Sequence, residues 1–354
     1  MGKAIVVGGG VIGLACAWEL ARRDVEVVVV DAGRVGAGAS SGNAGWICPT
    51  LVAPLRAQGL VVRPSIALLP WLARFARNCT RARYEAGLRM LQELDRDTMS
   101  LYDAYADAGV ELELHRQGLV IAARSPEGLA PYRLLAQDGR EATPALEPAL
   151  APSLHVLHAE VDRHVRPESL TTGLARSLAQ MGATFHEHEP IAKIERRGRE
   201  WLVGELAADG VVVAAGVDSM RLLRRHGVRL PLVGVRGYSV DTSGDGAPPR
   251  HALYLAEAKL AVSPFASTVR IAGLLELGGR PGRPDLVARS RPYLDGWIPT
   301  ATTELWSGLR PMTPDGLPRI GRVGDGLYVA TGHGMFGITL APATGRKLAR
   351  SWKG

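Results

Sequence analysis

Long hydrophobic runs are missing from this 354-residue chain. No apolar stretch reaches the roughly 18 residues that a transmembrane helix needs, so none is expected. Cysteine is scarce. Cys16, Cys48 and Cys79 make neither a metal quartet nor a full set of disulfides. His186 with His188, and His155 with His158, have no third ligand at matching spacing, which argues against a metal site. Lysine supplies only five of the 42 basic residues, and the arginines behind the net charge of +7 are scattered. Nothing resembles a nucleic-acid module, and the basicity reads as composition bias, with attraction to anionic substrates or lipid a minor reading. The first apolar strand starts almost at the N-terminus. That leaves no room for a signal peptide, so the expectation is a cytoplasmic protein. A hydrophobic content of 46% and a charged content of 22% fit a globular chain, and the length favours two domains.

What the chain does have is concentrated in residues 3–31. Ala4-Ile5-Val6-Val7 reads as a buried parallel strand and runs into Gly8-Gly9-Gly10-Val11-Ile12-Gly13, a G-x-G-x-x-G. Leu14, Ala15, Trp18, Leu20 and Ala21 then recur at helical spacing, and Val25 to Val30 forms a second strand ending at Asp31. Gly8 permits the tight turn, Gly10 lets a pyrophosphate approach bare backbone, and Gly13 lets helix and strand pack closely. A carboxylate at Asp31 can accept both hydroxyls of an unphosphorylated ribose, which points to FAD or NAD rather than NADP.

Residues 33–50 form a Gly, Ser and Asn loop in which Ser40, Ser41, Gly42, Ala44 and Gly45 would let backbone approach a cofactor. Residues 60–78 carry a broad apolar face interrupted by Pro70 and flanked by Arg74 and Arg77. The blander reading is a helix packed on its own protein, and the competing one an interfacial or lid segment. A helical pattern from 84 to 108 ends at Gly109, and residues 110–123 read as paired strands turning near Arg116-Gln117-Gly118. A further βα unit runs from Arg166 through a strand at residues 184–186, with two short strands after it, Ile191 to Ile194 and Trp201 to Val203. Val211-Val212-Val213 opens into Ala214-Ala215-Gly216, small enough to pass behind a dinucleotide. Residues 231–242 and 253–276 read as antiparallel strands of a separate sheet. A strand at 327–331 and a helix from about Thr339 close the chain.

Four blocks of residues resemble the D-amino-acid oxidase superfamily of FAD oxidoreductases, most of all its bacterial D-amino-acid dehydrogenases. They are Gly8 to Gly13 with Asp31; Ser40 to Gly45; Arg236-Gly237-Tyr238-Ser239 with Lys259 to Phe265 and Val269 to Gly273; and Trp306 to Pro318 with Gly332 to Gly337. The resemblance implies an α+β fold in two discontinuous domains, a Rossmann-like FAD-binding domain and a second, mainly antiparallel-sheet substrate domain. Their expected segments are 1–83, 151–222 and 305–354 for the first, and 84–150 and 223–304 for the second. It places at the cofactor Gly8, Gly10, Val11, Ile12, Gly13, Asp31, Ala32, Ser40, Ser41, Asn43, Ala44, Gly45, Ile191, Ala214, Ala215, Gly216, Gly308, Gly332, His333, Gly334, Met335, Phe336 and Gly337. The C-terminal region has no cysteine to attach flavin, so non-covalent FAD is implied.

The implied reaction is oxidation of a D-amino acid by hydride transfer from Cα–H to flavin N5. The imino acid formed hydrolyses to a 2-oxo acid and ammonia. Electrons then pass to a quinone or to oxygen. Arg310 is the expected carboxylate partner, since bidentate arginine suits that group. Tyr238 is expected on the substrate side and His333 beside the flavin, whereas Arg236, Tyr254 and Lys259 are weaker candidates for the site, with a structural role as the preferred reading of each. No general base is assigned. Departures from the family pattern are Asp31 where glutamate is commoner, Trp46 and Ile47 after Asn-Ala-Gly, and Ala258 where a tyrosine is frequent. The competing readings are oxidation of a secondary amine, a non-catalytic flavin-binding subunit or sensor, and a plain NAD-dependent dehydrogenase. A small-molecule amino acid is the expected partner, nucleic acid is not, and peripheral membrane contact would fall to residues 60–78. No oligomeric state is assigned.

Overall fold

A computed structural model describes residues 2–55, 60–63, 65–136 and 139–353. Residues 56–59, 64 and 137–138, which fall inside the expected domain segments, lie outside the described residues. The first sheet has six strands in the order Thr184–His186, Glu26–Val30, Lys3–Val7, Gly210–Val213, Leu327–Thr331 and Arg319–Gly324. All its pairings are parallel except the last. Its central strands are apolar throughout because both faces are covered. Ala4 and Val6 face the helices Val11–Ala21, Pro167–Gln180 and Gly337–Ser351, while Ile5 and Val7 face a core with Trp201 and Leu222. Gly8, at φ +110°, turns the first strand into the first helix.

The second sheet is ten-stranded and mainly antiparallel. Its main path runs Trp297–Ala301, Val233–Gly246, Val269–Leu277, Leu260–Pro264, Ala252–Leu255, Leu119–Ala123, His155–Ala159 and Arg140–Ala142. Trp306–Met312 pairs with Val233–Gly246, and Leu60–Val62 with Val269–Leu277. Both sheets therefore draw on discontinuous segments, as the family fold implies.

Several boundaries differ from expectation. Leu60–Val62, His155–Ala159 and Trp306–Met312 were placed with the cofactor domain by sequence order, yet they add strands to the second sheet. The 84–108 pattern is two helices, Arg81–Asp95 and Thr98–Asp107, and it packs on the cofactor domain instead of the substrate domain. Tyr102 Oη donates to Ile338 O at 2.7 Å, and Tyr105 meets Trp18 edge-on at 4.7 Å. Periodicity shows that a helix has an apolar face but not which surface receives it. Residues 110–123 are not a hairpin. Leu114–His115 pairs with Arg163–Val165, and Leu119–Ala123 crosses into the large sheet. The strand expected at 191–194 begins only at Ile194 and runs to Arg197.

In the 60–78 segment, helix Leu69–Asn78 stacks Trp71 on Phe75 with ring centroids 5.2 Å apart, packed against Val235, Leu277 and Met312. Ile66 is 87% and Leu69 55% exposed on its outer side. Among the described residues no helix is long and apolar enough to cross a membrane.

Candidate active site

At the carboxyl ends of the parallel strands, three turns open onto one groove of about 500 Å³. Of the residues expected at the cofactor, Gly8, Gly10, Val11, Ile12, Asp31, Ala32, Ser40, Asn43, Ile191, Ala214, Ala215, Gly216, Gly308, His333, Gly334 and Gly337 line it. Ala44, Met335 and Phe336 line an adjoining cavity of about 300 Å³ instead. Gly13, Ser41, Gly45 and Gly332 line neither and support the walls. A Cβ on Gly13 would stand 1.8 Å from Gly8 O, so its place is in close helix–strand packing.

The groove fits a dinucleotide. Helices Val11–Ala21 and Gly337–Ser351 both begin on it, and neither is capped by the side chain of its own N-cap residue, Gly10 or Phe336. Asp31 accepts from Gly9 N at 2.7 Å and Gly33 N at 2.8 Å, which fixes the carboxylate and leaves lone pairs for ribose hydroxyls. Ser40 Oγ accepts from Val11 N at 3.1 Å and ties the small-residue loop to the glycine turn. His333 is buried, its Nε2 lies 2.9 Å from Thr344 Oγ1, and its Nδ1 has no partner among the described residues. Burial pushes its pKa down to about 3, so it is a neutral hydrogen-bonding group rather than a source of positive charge.

Arg310 stands where groove and cavity meet and lines both. Its strand, Trp306–Met312, places it opposite Val235, and Met312 bridges to His333, which brings the 332–337 turn alongside. Arg310 Nη1 donates to Leu274 O at 3.3 Å. Desolvation lowers its pKa to about 10, so it stays charged at neutral pH, and no carboxylate pairs with it among the described residues.

Tyr238 is not brought to this place. It is buried in the core of the second sheet, donating to Glu276 Oε2 at 2.5 Å and accepting from Gly282 N at 2.7 Å, and it lines neither cavity. Arg236 is also apart from the second cavity, with Nη1 3.4 Å from Ser307 Oγ. Tyr254 and Lys259, by contrast, line that cavity together with Trp46 and Tyr132.

Two further residues shape the site. Arg270 is buried, ion-paired to Asp241 and Glu168, and donates to Ser41 O at 2.9 Å and Asn43 O at 3.1 Å. It thereby clamps the small-residue loop of one domain to the sheet of the other. The Trp306 ring lies against Gly42 and Gly308, where a Cβ would come within 2.1 and 2.3 Å of it. Both lie within or beside conspicuous motifs, but only the tertiary contacts give them a role.

Beside the second cavity, Cys48 adjoins Asp162, which is fully buried and accepts from Thr50 Oγ1. Burial pushes Asp162 up to about 7 and nearby Asp95 up to about 6. Unfolded aspartate ionises near pH 4, so between about pH 4 and 7 the folded chain binds more protons and these groups reduce stability as pH rises. Asp162→Asn, which keeps an acceptor for Thr50, should therefore gain on the order of 2 kcal/mol at pH 8 and little at pH 4.5. Thermal unfolding at both pH values checks this, and an equal gain at the two would refute the assignment.

A glycine-turn parallel sheet with a second sheet roofing its groove defines a two-domain, dinucleotide-dependent redox enzyme. Residues 3–351 match the family described as FAD dependent oxidoreductase (DAO), so the chain belongs to that family and FAD is its cofactor. It is 32% identical to the D-amino acid dehydrogenase of Cereibacter sphaeroides, over 98% of this chain and 91% of the relative. Glycine oxidase from Bacillus cereus shares the fold, with a TM-score of 0.75 and 21% identity over 99% of this chain and 94% of that one. So does the FAD-bound L-alpha-glycerophosphate oxidase of Mycoplasma pneumoniae, with a TM-score of 0.74 and 17% identity over 100% and 96% of the two chains.

Proposed function

We propose that this enzyme oxidises a D-amino acid in the second cavity, with Arg310 holding the α-carboxylate. The observation that carries the reading is a charged guanidinium at the junction of groove and cavity with no carboxylate partner among the described residues. An amino-acid substrate supplies that carboxylate, and a bidentate pair fixes its orientation as well as its affinity. The name of the Cereibacter relative supports the D-configuration. When bound, FAD supplies the two-electron acceptor for the Cα hydride. The product imino acid hydrolyses to a 2-oxo acid and ammonia. No Asp, Glu or His lines the second cavity among the described residues, and in this reading the amine reacts unprotonated, with no general base assigned. Arg270 holds the Ser41–Asn43 backbone in place, and neutral His333 offers hydrogen bonding on the groove side.

A quinone or oxygen takes the electrons onward. Exposed Ile66 and Leu69, flanked in sequence by exposed Arg63 and Arg74, favour peripheral contact with a membrane surface.

The test is an anaerobic visible spectrum titrated with D- and L-amino acids, sarcosine and D-proline. Bleaching of the flavin by D-amino acids is expected, and readmitted air then separates oxidase from dehydrogenase. Bleaching by sarcosine or D-proline alone would move the assignment to secondary amines. A flavin that stays oxidised against the whole panel would overturn it.

A further inference from the structure

The second cavity is lined by two cations, Arg310 and Lys259, and by no anion among the described residues. An ordinary amino acid needs only one of them for its α-carboxylate. Lys259 Nζ donates to Tyr132 Oη at 3.1 Å and lies 5.7 Å from the centre of that ring, with no carboxylate partner among the described residues. The tyrosine hydroxyl positions the ammonium without neutralising it.

The backbone around Lys259 is unusual in the same place. Lys259 and Leu274 hold φ of +56° and +62°, two of the four non-glycine residues with positive φ among those described. The ladder between their strands stops one step short of them, at Leu260 opposite Gly273, and a bulge at Arg236/Tyr238 interrupts the pairing on the far side of Leu274. Leu274 O, released from the ladder, receives Arg310 Nη1. Both cations thus converge on one irregular stretch, Arg310 through that carbonyl and Lys259 from the facing strand. The rest of the wall is uncharged, mostly apolar or aromatic as at Trp46, Tyr254 and Leu51 with Asn43 and Thr339 as neutral polar members, and would not offset a second charge.

We infer that the substrate is a dicarboxylic amino acid of the glutamate type, with Arg310 taking the α-carboxylate and Lys259 the side-chain carboxylate. This rests on the amine-oxidation reading above but names its substrate class. Two cations without a protein anion favour a ligand with two carboxylates, and a hydrophobic surround strengthens both pairs.

Two measurements on the holoenzyme test it. First, kcat/KM for D-glutamate is compared with D-glutamine and D-norleucine, which have similar size without the charge. Wild type should prefer D-glutamate by roughly 10- to 100-fold. Lys259→Met should abolish that preference and Lys259→Arg should restore most of it, a rescue that a packing role would not produce. Second, glutarate and pentanoate, which have no amine to oxidise, are titrated against the flavin spectrum. Glutarate should bind at least 10-fold more tightly in wild type and about equally with pentanoate in Lys259→Met. Equal binding of the two acids in wild type, or turnover of D-norleucine as good as that of D-glutamate, overturns the inference while leaving D-amino-acid oxidation intact. A flavin that no amino acid reduces but that still discriminates glutarate from pentanoate overturns amine oxidation and upholds the dicarboxylate pocket.

Discussion

Arg310→Ala should keep FAD bound and lower kcat/KM for the amino-acid substrate by roughly 10²- to 10³-fold, mostly through KM. The guanidinium contacts one carbonyl, Leu274 O, and no protein carboxylate among the described residues, so removing it exposes few unmet groups in the fold. The loss falls instead on a substrate carboxylate left in a desolvated cavity without its charge-assisted partner. Part of the effect should also appear in kcat, because a bidentate clamp orients Cα–H as well as attracting the acid. Arg310→Lys should recover charge but not the planar fork, and so fall between wild type and alanine. The decisive comparison is steady-state kinetics beside the flavin absorbance of each purified variant. Wild-type kinetics in Arg310→Ala would remove this residue from the substrate site.

The parts of the molecule legible in sequence are those whose physics is local. Gly8, Gly10 and Gly13 sit at the spacing a strand–turn–helix needs, and Val27 to Val30 and Val211 to Val213 are apolar throughout because parallel strands are buried on both faces. The groove follows from these elements almost without further information. The make-up of the inner cavity is set by non-local contacts. Alternation along residues 233–246 gives Tyr238 a face but not what covers that face, and the register shift lies in the partner strand, where Leu274-Leu275 stand opposite Gly237. Tyr132 reaches Lys259 from a helix 127 positions away in sequence, and Arg270 reaches Ser41 across 229 positions. No period or motif encodes such pairs. The domain boundaries were blurred for the same reason, since Trp306–Met312 follows the FAD-domain pattern in sequence but hydrogen-bonds to the other sheet.

Gly237→Ala should reproduce much of the Arg310 defect without removing the arginine. Gly237 faces Gly308 across the ladder beside the bulge, and the Arg310 side chain crosses the space its Cβ would fill. That Cβ would come 1.6 Å from Arg310 Nη1 and 2.2 Å from Cζ. The clash is with the far end of a flexible side chain, so the backbone has no need to move and the chain should fold and retain FAD. The guanidinium must swing away, however, losing Leu274 O and its alignment to the substrate. A displacement of about 1 Å at a positioning group can cost about 100-fold in rate, and that is the expected fall in kcat/KM. The double variant makes the argument specific. If Gly237 acts only by making room for Arg310, then Gly237→Ala added to Arg310→Ala should cost nothing further, because the group it displaces is already gone. Additive losses in that cycle would mean that Gly237 matters for some other reason, such as the geometry of the bulge itself.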